Sequence, residues 1–271
     1  MKLTIGLSYA PADNSGYRYY WESVENAACA LEYEVEIIDL SQSPDRISEI
    51  DGILFTGGAD IQPARYGKQA EERLCGEIDE TRDQVEFDLA DEAEKEGIPT
   101  LGICRGLQLL NVHRGGTLLT DIETFGGRSH TKIASDQDRR HFVKVVPGSY
   151  LSKILNAREG EINSSHHQAI ERAGDGLTVS ARATEDGTAE AIEWADATGK
   201  PFFLAVQWHP ERMGFDERFA GRLFETFLWE VAAHKMLKEQ RPGMTPPRAV
   251  RSAESIEPHP ESMQNGYSKQ S

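Results

Sequence analysis

The sequence is short of cysteine, of positive charge and of long apolar runs. Its three cysteines, Cys29, Cys75 and Cys104, form no even framework and no metal-ligand spacing. That excludes a small disulfide-stapled module and fits a reducing compartment, so a cytoplasmic location is expected. Lysine and arginine number 29 against 45 aspartates and glutamates, a formal charge of −16. Such a balance argues against nucleic acid and anionic membrane surfaces as partners. No stretch is apolar for long enough to span a bilayer. The opening Met1-Lys-Leu-Thr-Ile-Gly-Leu-Ser8 is too short in its apolar part for a signal peptide and reads as a strand. No internal repeat is visible. With 271 residues there is material for one large α/β domain or two small ones.

What is present alternates. Strands are expected at Leu3–Ser8, Tyr33–Leu40, Ile53–Thr56 and Pro99–Ile103. A helix over Tyr17–Leu31 carries Tyr20, Val24, Ala27 and Leu31 on one face, and a helix over Asp79–Glu96 carries Val85, Leu89 and Ala93. Strands alternating with helices imply a doubly wound, mostly parallel sheet. The second half changes character. Strands at Phe142–Val146, Leu177–Ala183, Ala189–Trp194 and Phe202–Val206 are separated by turn signals such as Asp186-Gly187 and Thr198-Gly199, which predicts antiparallel additions. A helix over Asp216–Leu237 presents Phe219, Leu223, Phe227 and Val231 as a core-facing stripe. From Arg241 to Ser271 proline, serine and glutamate dominate, so 1–240 is expected as the folded unit and 241–271 as a disordered tail. His141 and His234 receive no role from the sequence.

The chain is organised around Gly102-Ile103-Cys104-Arg105-Gly106, which lies between a short apolar strand and a helix carrying Leu107, Leu109 and Leu110. A glycine two residues to either side of one cysteine is the nucleophile-elbow pattern with Cys in place of Ser. The glycines admit a tight turn that lifts one side chain above the sheet. The N-terminus of the following helix lowers a thiol pKa and holds a thiolate. A buried, inert Cys104 is the competing reading and fits the elbow less well.

A thiolate needs a base, and the base needs an orienting group. Val206-Gln207-Trp208-His209-Pro210-Glu211 supplies both just past a buried strand. Pro210 biases His209 to an extended conformation, in which His209 and Glu211 would share a side. Acyl transfer also needs an oxyanion hole. One donor is the N–H after the nucleophile, that of Arg105. Gly57-Gly58, past the third strand, is either a second donor or a plain turn.

These residues carry a resemblance. The chain resembles the class I (triad) glutamine amidotransferase-like hydrolases, and within them the γ-glutamyl-γ-aminobutyrate hydrolase family of cysteine-peptidase type. The likeness runs through most of 1–240. It rests on Gly57-Gly-Ala-Asp-Ile-Gln-Pro63 with Tyr66-Gly67, Arg82-Asp83 with Glu86, Gly102-Ile-Cys-Arg-Gly-Leu-Gln108, Asn111-Val112 with Gly115-Gly-Thr-Leu118, Asn163-Ser-Ser-His-His-Gln168, Ala191-Ile-Glu193 and Gln207-Trp-His-Pro-Glu211. The resemblance implies a flavodoxin-like core, with Cys104 as nucleophile, His209 as base and Glu211 as orienter. It implies oxyanion donors at Gly58 and Arg105, and contacts to the glutamyl head from Gln108 and the Ser165-His166 turn. A structural role is favoured for His167. It implies a small γ-glutamyl amide as substrate and no metal or organic cofactor, and leaves a homo-oligomer open. His113-Arg114 before Gly115, and Thr120 before Asp121, depart from the family pattern beside the motif and touch substrate choice more than chemistry. Two other readings remain: a glutaminase subunit feeding ammonia to a partner synthetase, and a catalytically silent binding or redox-sensing protein.

Overall fold

The computed structural model describes residues 1–11 and 14–240; the expected tail at 241–271 lies outside the described residues. In chain order the elements are β1 (Lys2–Leu7), α1 (Arg18–Ala30), β2 (Glu34–Asp39), β3 (Gly52–Phe55), α2 (Glu80–Glu96), β4 (Thr100–Ile103), α3 (Arg105–His113), β5 (Thr117–Leu119), β6 (Arg139–Val145), α4 (Tyr150–Leu155), β7 (Glu159–Ser164), β8 (Ala169–Arg172), β9 (Leu177–Ala183), β10 (Ala189–Trp194), β11 (Phe203–Val206) and α5 (Gly221–Gln240).

Among the described residues all the strands join one 11-stranded sheet with the path β2-β1-β3-β4-β11-β10-β9-β6-β7, and β8 bridges β10 to β5 off that path. From β2 to β11 the pairings are parallel. From β11 onward they are antiparallel. This is the mixed α/β architecture the alternation implies, with the antiparallel strands grafted on one edge of the parallel core.

Strand residues alternate between two apolar layers, as the period of two requires. Leu54 of β3, Leu101 and Ile103 of β4, and Leu204 and Val206 of β11 join the layer under α1 and α5. Ile53, Phe55, Phe203 and Ala205 join the opposite layer under α2 and α3. Gly102 faces α3, where a Cβ would approach Leu110 Cδ1 to 2.8 Å and Ala205 Cβ to 2.9 Å. The helix therefore lies close enough to β4 for the chain to turn into it within one residue.

Two elements differ from the sequence reading. The buried face of α2 contains Arg82, Asp83 and Glu86 beside Leu89, Ala90 and Ala93, while Val85 is only partly buried. Periodicity counts apolar residues and cannot see that these charges are paired. α5 starts at Gly221 and not at Asp216, because Gly214–Ala220 folds into turns in which Glu217 N–H donates to Gly214 O. The turns Asp186-Gly187 and Thr198-Gly199 occur where expected, with Gly187 and Gly199 at φ 77° and 69°.

Candidate active site

Three adjacent parallel strands, β3, β4 and β11, end side by side. Their carboxyl ends release Gly57-Gly58, Cys104 and Gln207–Glu211. The crevice outside such ends is where open α/β sheets bind ligands.

Cys104 has φ 53° and ψ −105°, a strained conformation for a residue with a side chain. It is held there from both sides. Its N–H donates to Val206 O (2.8 Å), and its carbonyl accepts from Gln108 N–H (3.2 Å). Gly106 lets α3 approach β3, since a Cβ there would collide with the Phe55 carbonyl. Cys104 is 6% exposed, and the Gln207 side-chain amide reaches its sulfur at 3.6 Å.

His209 is fixed through its main chain. Its N–H donates to Asn163 Oδ1 (3.0 Å), and its carbonyl accepts from Asn163 Nδ2 (2.9 Å). Nδ1 lies 2.7 Å from Glu211 Oε1. The expected extended geometry is not what brings the pair together. Pro210–Arg212 forms a single 3-10 turn, with proline in its first turn, and the turn folds Glu211 back under the imidazole. The other nitrogen, Nε2, has no hydrogen-bond partner among the described residues. Burial pushes the imidazolium toward its neutral form, but Cys104 and Glu211 outweigh it and raise the pKa to about 9.

Gly57 forms bare backbone between the two side chains. A Cβ on it would sit 3.2 Å from His209 Cε1 and 3.6 Å from Cys104 Cβ. Gly57 N–H is taken by the Tyr20 hydroxyl (2.9 Å), and its carbonyl accepts from Arg82 Nη2 (2.8 Å). Gly58 is exposed, at φ 149°, and a side chain there would collide with the Arg82 guanidinium. The Arg105 side chain runs away from the crevice. It is 1% exposed, its Nη2 donates to Asp83 Oδ1 (2.5 Å), and its Nη1 meets Glu86 Oε2. Burial first, and then the like charge of Arg82, lowers its pKa to about 9 against the pull of Asp83.

Gln108 donates from Nε2 to Gln168 O and to Gln207 Oε1, both at 3.3 Å. A chain of amides thus runs from Gln108 through Gln207 to the Cys104 sulfur. Ser165 is partly buried on the turn after β7. The His166 ring is buried and faces elsewhere: Nδ1 lies 3.0 Å from Gln168 O, and Nε2 points at Glu190. His167 bridges Asp60 (2.8 Å) and Asp121 (3.3 Å), which raise its pKa over the opposing effect of burial.

The peptidase C26 family profile matches residues 10–211. The chain belongs to that family. Among its relatives, the glutamine amidotransferase-like protein YvdE of Lactococcus lactis is 39% identical over 180 residues, covering 66% of this chain and 73% of that protein. The γ-glutamyl-γ-aminobutyrate hydrolase PuuD of Escherichia coli K12 is 32% identical over 203 residues, covering 72% and 77%. The glutaminase domain of Trypanosoma brucei CTPS, solved with bound acivicin, superposes with a TM-score of 0.61 at 19% identity, covering 85% of this chain and 94% of that one. At that identity the likeness is one of fold.

Sequence reasoning about this C26 chain missed several contributors. Tyr20 reads from the sequence as one of a core-facing stripe, yet its hydroxyl accepts from Gly57 N–H. The charged residues under Arg105 come from α2. Gln207 stood inside a recognised segment with no role. Among the described residues, the side chains grouped closely enough to hold a metal are His130, His141, His166 and Glu190. His141 and Glu190 lie in the antiparallel strands β6 and β10, with His130 in the loop before β6 and His166 on the turn after β7. Among the described residues no helix is long and apolar enough to cross a membrane.

Proposed function

We propose that this C26 protein hydrolyses the amide bond of γ-glutamyl-amine conjugates, releasing glutamate and the amine. The observation that carries the reading is the His209–Glu211 pair at 2.7 Å, with Nε2 unpartnered beside a cysteine on a strained strand-to-helix turn. The Cys104 thiolate attacks the side-chain amide carbon. Negative charge gathers on the carbonyl oxygen, toward the N–H groups of Gly58 and Arg105. The His209 imidazolium gives its proton to the departing amine as the C–N bond breaks, leaving a γ-glutamyl thioester and a neutral imidazole. Water then loses a proton to His209 and attacks the thioester. Glutamate leaves, and the thiolate–imidazolium pair is restored. Glu211 keeps the Nδ1 proton in place throughout.

Gln108 and the Ser165-His166 turn are proposed to hold the free α-amino and α-carboxylate groups. With the His166 ring turned inward, the turn would act through Ser165 and its main chain. Polar groups built for a charged head reject an analogue lacking it, because they would be left unpaired. Several amines should therefore be accepted, and simple glutaryl amides refused.

The test is a release assay across γ-glutamyl conjugates of aminobutyrate, a polyamine and ethanolamine, with glutamine as the ammonia conjugate. Cleavage of the amine conjugates by the chain alone, lost in Cys104→Ala, is expected. Turnover of glutamine alone, rising on addition of a synthetase partner, would favour the glutaminase reading. Equal kcat/KM for glutaryl and γ-glutamyl versions of one amide would overturn the head-group assignment.

A further inference from the structure

We propose that His130, His141, His166 and Glu190 form a binding site for a divalent transition-metal ion with the ligand preferences of zinc. The inference does not depend on the function proposed for Cys104.

The four residues come from separate segments. His130 lies in the loop before β6, His141 in β6, His166 on the turn after β7, and Glu190 in β10. Their nearest ligand atoms all lie within 4.8 Å of one another. Glu190 Oε1 is 3.2 Å from His130 Nδ1, 3.5 Å from His141 Nε2 and 3.6 Å from His166 Nε2. Zinc bonds of about 2.0–2.1 Å in a tetrahedron set ligand atoms roughly 3.4 Å apart. Three imidazoles and one carboxylate are a donor set that zinc takes readily.

The second observation is polar satisfaction. Glu190 and the His166, His130 and His141 side chains are all more than nine-tenths buried, with exposures of 0, 2, 4 and 8%. Yet His130 Nδ1, His141 Nε2, His166 Nε2 and both Glu190 oxygens have no hydrogen-bond partner among the described residues. Buried polar atoms are ordinarily satisfied, and here three inner imidazole nitrogens converge on the same Glu190 oxygen. One proton can bridge only two of these atoms. A dication placed between them satisfies one atom from each of the four residues at once.

The outer nitrogens decide where the lone pairs point. His130 Nε2 lies 3.1 Å from Asp186 Oδ2, His166 Nδ1 3.0 Å from Gln168 O, and His141 Nδ1 3.3 Å from Phe142 O. Each faces an acceptor that suits a proton on this outer nitrogen, and that tautomer leaves the inner nitrogen free to donate its lone pair. Carboxylates and carbonyls behind metal-bound imidazoles orient ligands in this way. A cleft of about 310 Å³, lined in part by His130, His141, Ser129 and Arg128, gives the ion a route in.

A site with four protein ligands is closed and structural. Its effect would be to tie β6, β10 and the turn after β7 together. Asn163, which clamps the His209 main chain, lies on β7 just before that turn, and Glu190 O accepts from Gln207 N–H (2.8 Å). The ion would thereby stiffen the wall that presents His209 without touching the reaction.

The full chain, stripped with chelator and titrated with Zn2+ and then Co2+, tests this. One equivalent of metal, the visible absorption of tetrahedral Co2+ without a cobalt–thiolate band, and an upward thermal shift with Zn2+ are expected. His141→Ala and Glu190→Gln should each lose the bound ion while keeping wild-type far-UV circular dichroism. Asp186→Asn should weaken affinity about 10–100-fold. Cys104→Ala should keep the metal. No stoichiometric binding to the wild-type chain would overturn the proposal without any variant. So would binding that survives His141→Ala and Glu190→Gln, or binding lost in Cys104→Ala, which would move the ion to the crevice.

Discussion

Burial favours a neutral His209, yet the Cys104 sulfur and the Glu211 carboxylate hold it as an imidazolium up to about pH 9, against an ordinary value of 6.5. A folded-state pKa above the unfolded one means that the folded chain binds the extra proton. The stability from His209 is therefore fully present below about pH 6.5 and is lost as pH rises through about 9. Thermal unfolding should show it: Tm of the wild type should fall across that window more steeply than Tm of His209→Asn. Parallel curves would mean that His209 is not charged in the fold. The same residues predict graded losses of γ-glutamyl hydrolysis. Cys104→Ala should abolish turnover, on the order of a million-fold in the handling of comparable triads. Glu211→Gln should be milder, about ten-thousand-fold, since a side-chain amide can hold the wrong imidazole tautomer while leaving the nucleophile in place. Steady-state kinetics on one conjugate orders the variants, and a Glu211→Gln loss as deep as that of Cys104→Ala would contradict a purely orienting role.

At the scale of the element, α2 and α3 meet through charge as well as apolar packing. Asp83 has no exposed surface, and it accepts from Arg105 Nη2 and from Gln62 N–H (2.8 Å). Arg82 Nη2 pairs with Glu86 Oε1 at 3.2 Å. Arg82, Arg105, Asp83 and Glu86 make a charge-balanced buried group, with Arg65 Nε 3.5 Å from Asp83 at its rim, and removing Asp83 leaves the two buried arginines with Glu86 alone. Asp83→Ala should cost about 3–5 kcal/mol in urea unfolding, with Asp83→Asn losing less. A cost below about 1 kcal/mol, the range of exposed pairs, would show that Arg105 finds water instead. This group also marks the limit of what the sequence reveals. The strands β1, β3, β4 and β11 are legible because their apolar runs are bounded by glycine, proline and turn residues. The elbow and His209-Pro210-Glu211 are legible because their partners are local in the chain. Arg82, Asp83 and Glu86 stand in the sequence as a segment of the family resemblance, but their burial is not legible there, since the Arg105 that pairs with Asp83 and Glu86 is placed by topology. Glu190 carried a faint signal, as a glutamate inside an otherwise buried strand. His130 and His141 carried none, because imidazoles in a loop and in an alternating strand are unremarkable until β6 and β10 are brought together. The three residues of β5 and four of β8 are too short for periodicity to register.

For the whole molecule, the decisive feature is that one sheet runs unbroken from β2 to β7 between two apolar layers. Chains of this length often unfold in stages, domain by domain. Here there is no seam along the hydrogen-bonded path at which a stage could end, since β11 pairs in parallel with β4 and antiparallel with β10. α5 adds a second tie. It packs on α1 and α4, and Gly52 admits it against β3, where a Cβ would meet Phe227 Cζ at 3.1 Å. Phe227 is fully buried. Phe227→Ala should therefore cost about 3–5 kcal/mol, and the cost should appear in every probe at once. Tryptophan fluorescence reads both layers, because Trp208 lies in the α1/α5 layer and Trp194 packs against the α2/α3 layer. Far-UV circular dichroism reads the sheet and helices together. The urea curves from the two methods should coincide in the wild type, and should shift together in Phe227→Ala with the slope unchanged. If fluorescence moved and circular dichroism did not, the packing of the layers would be separable from the backbone of the sheet, and the continuous sheet would not be what makes the fold cooperative.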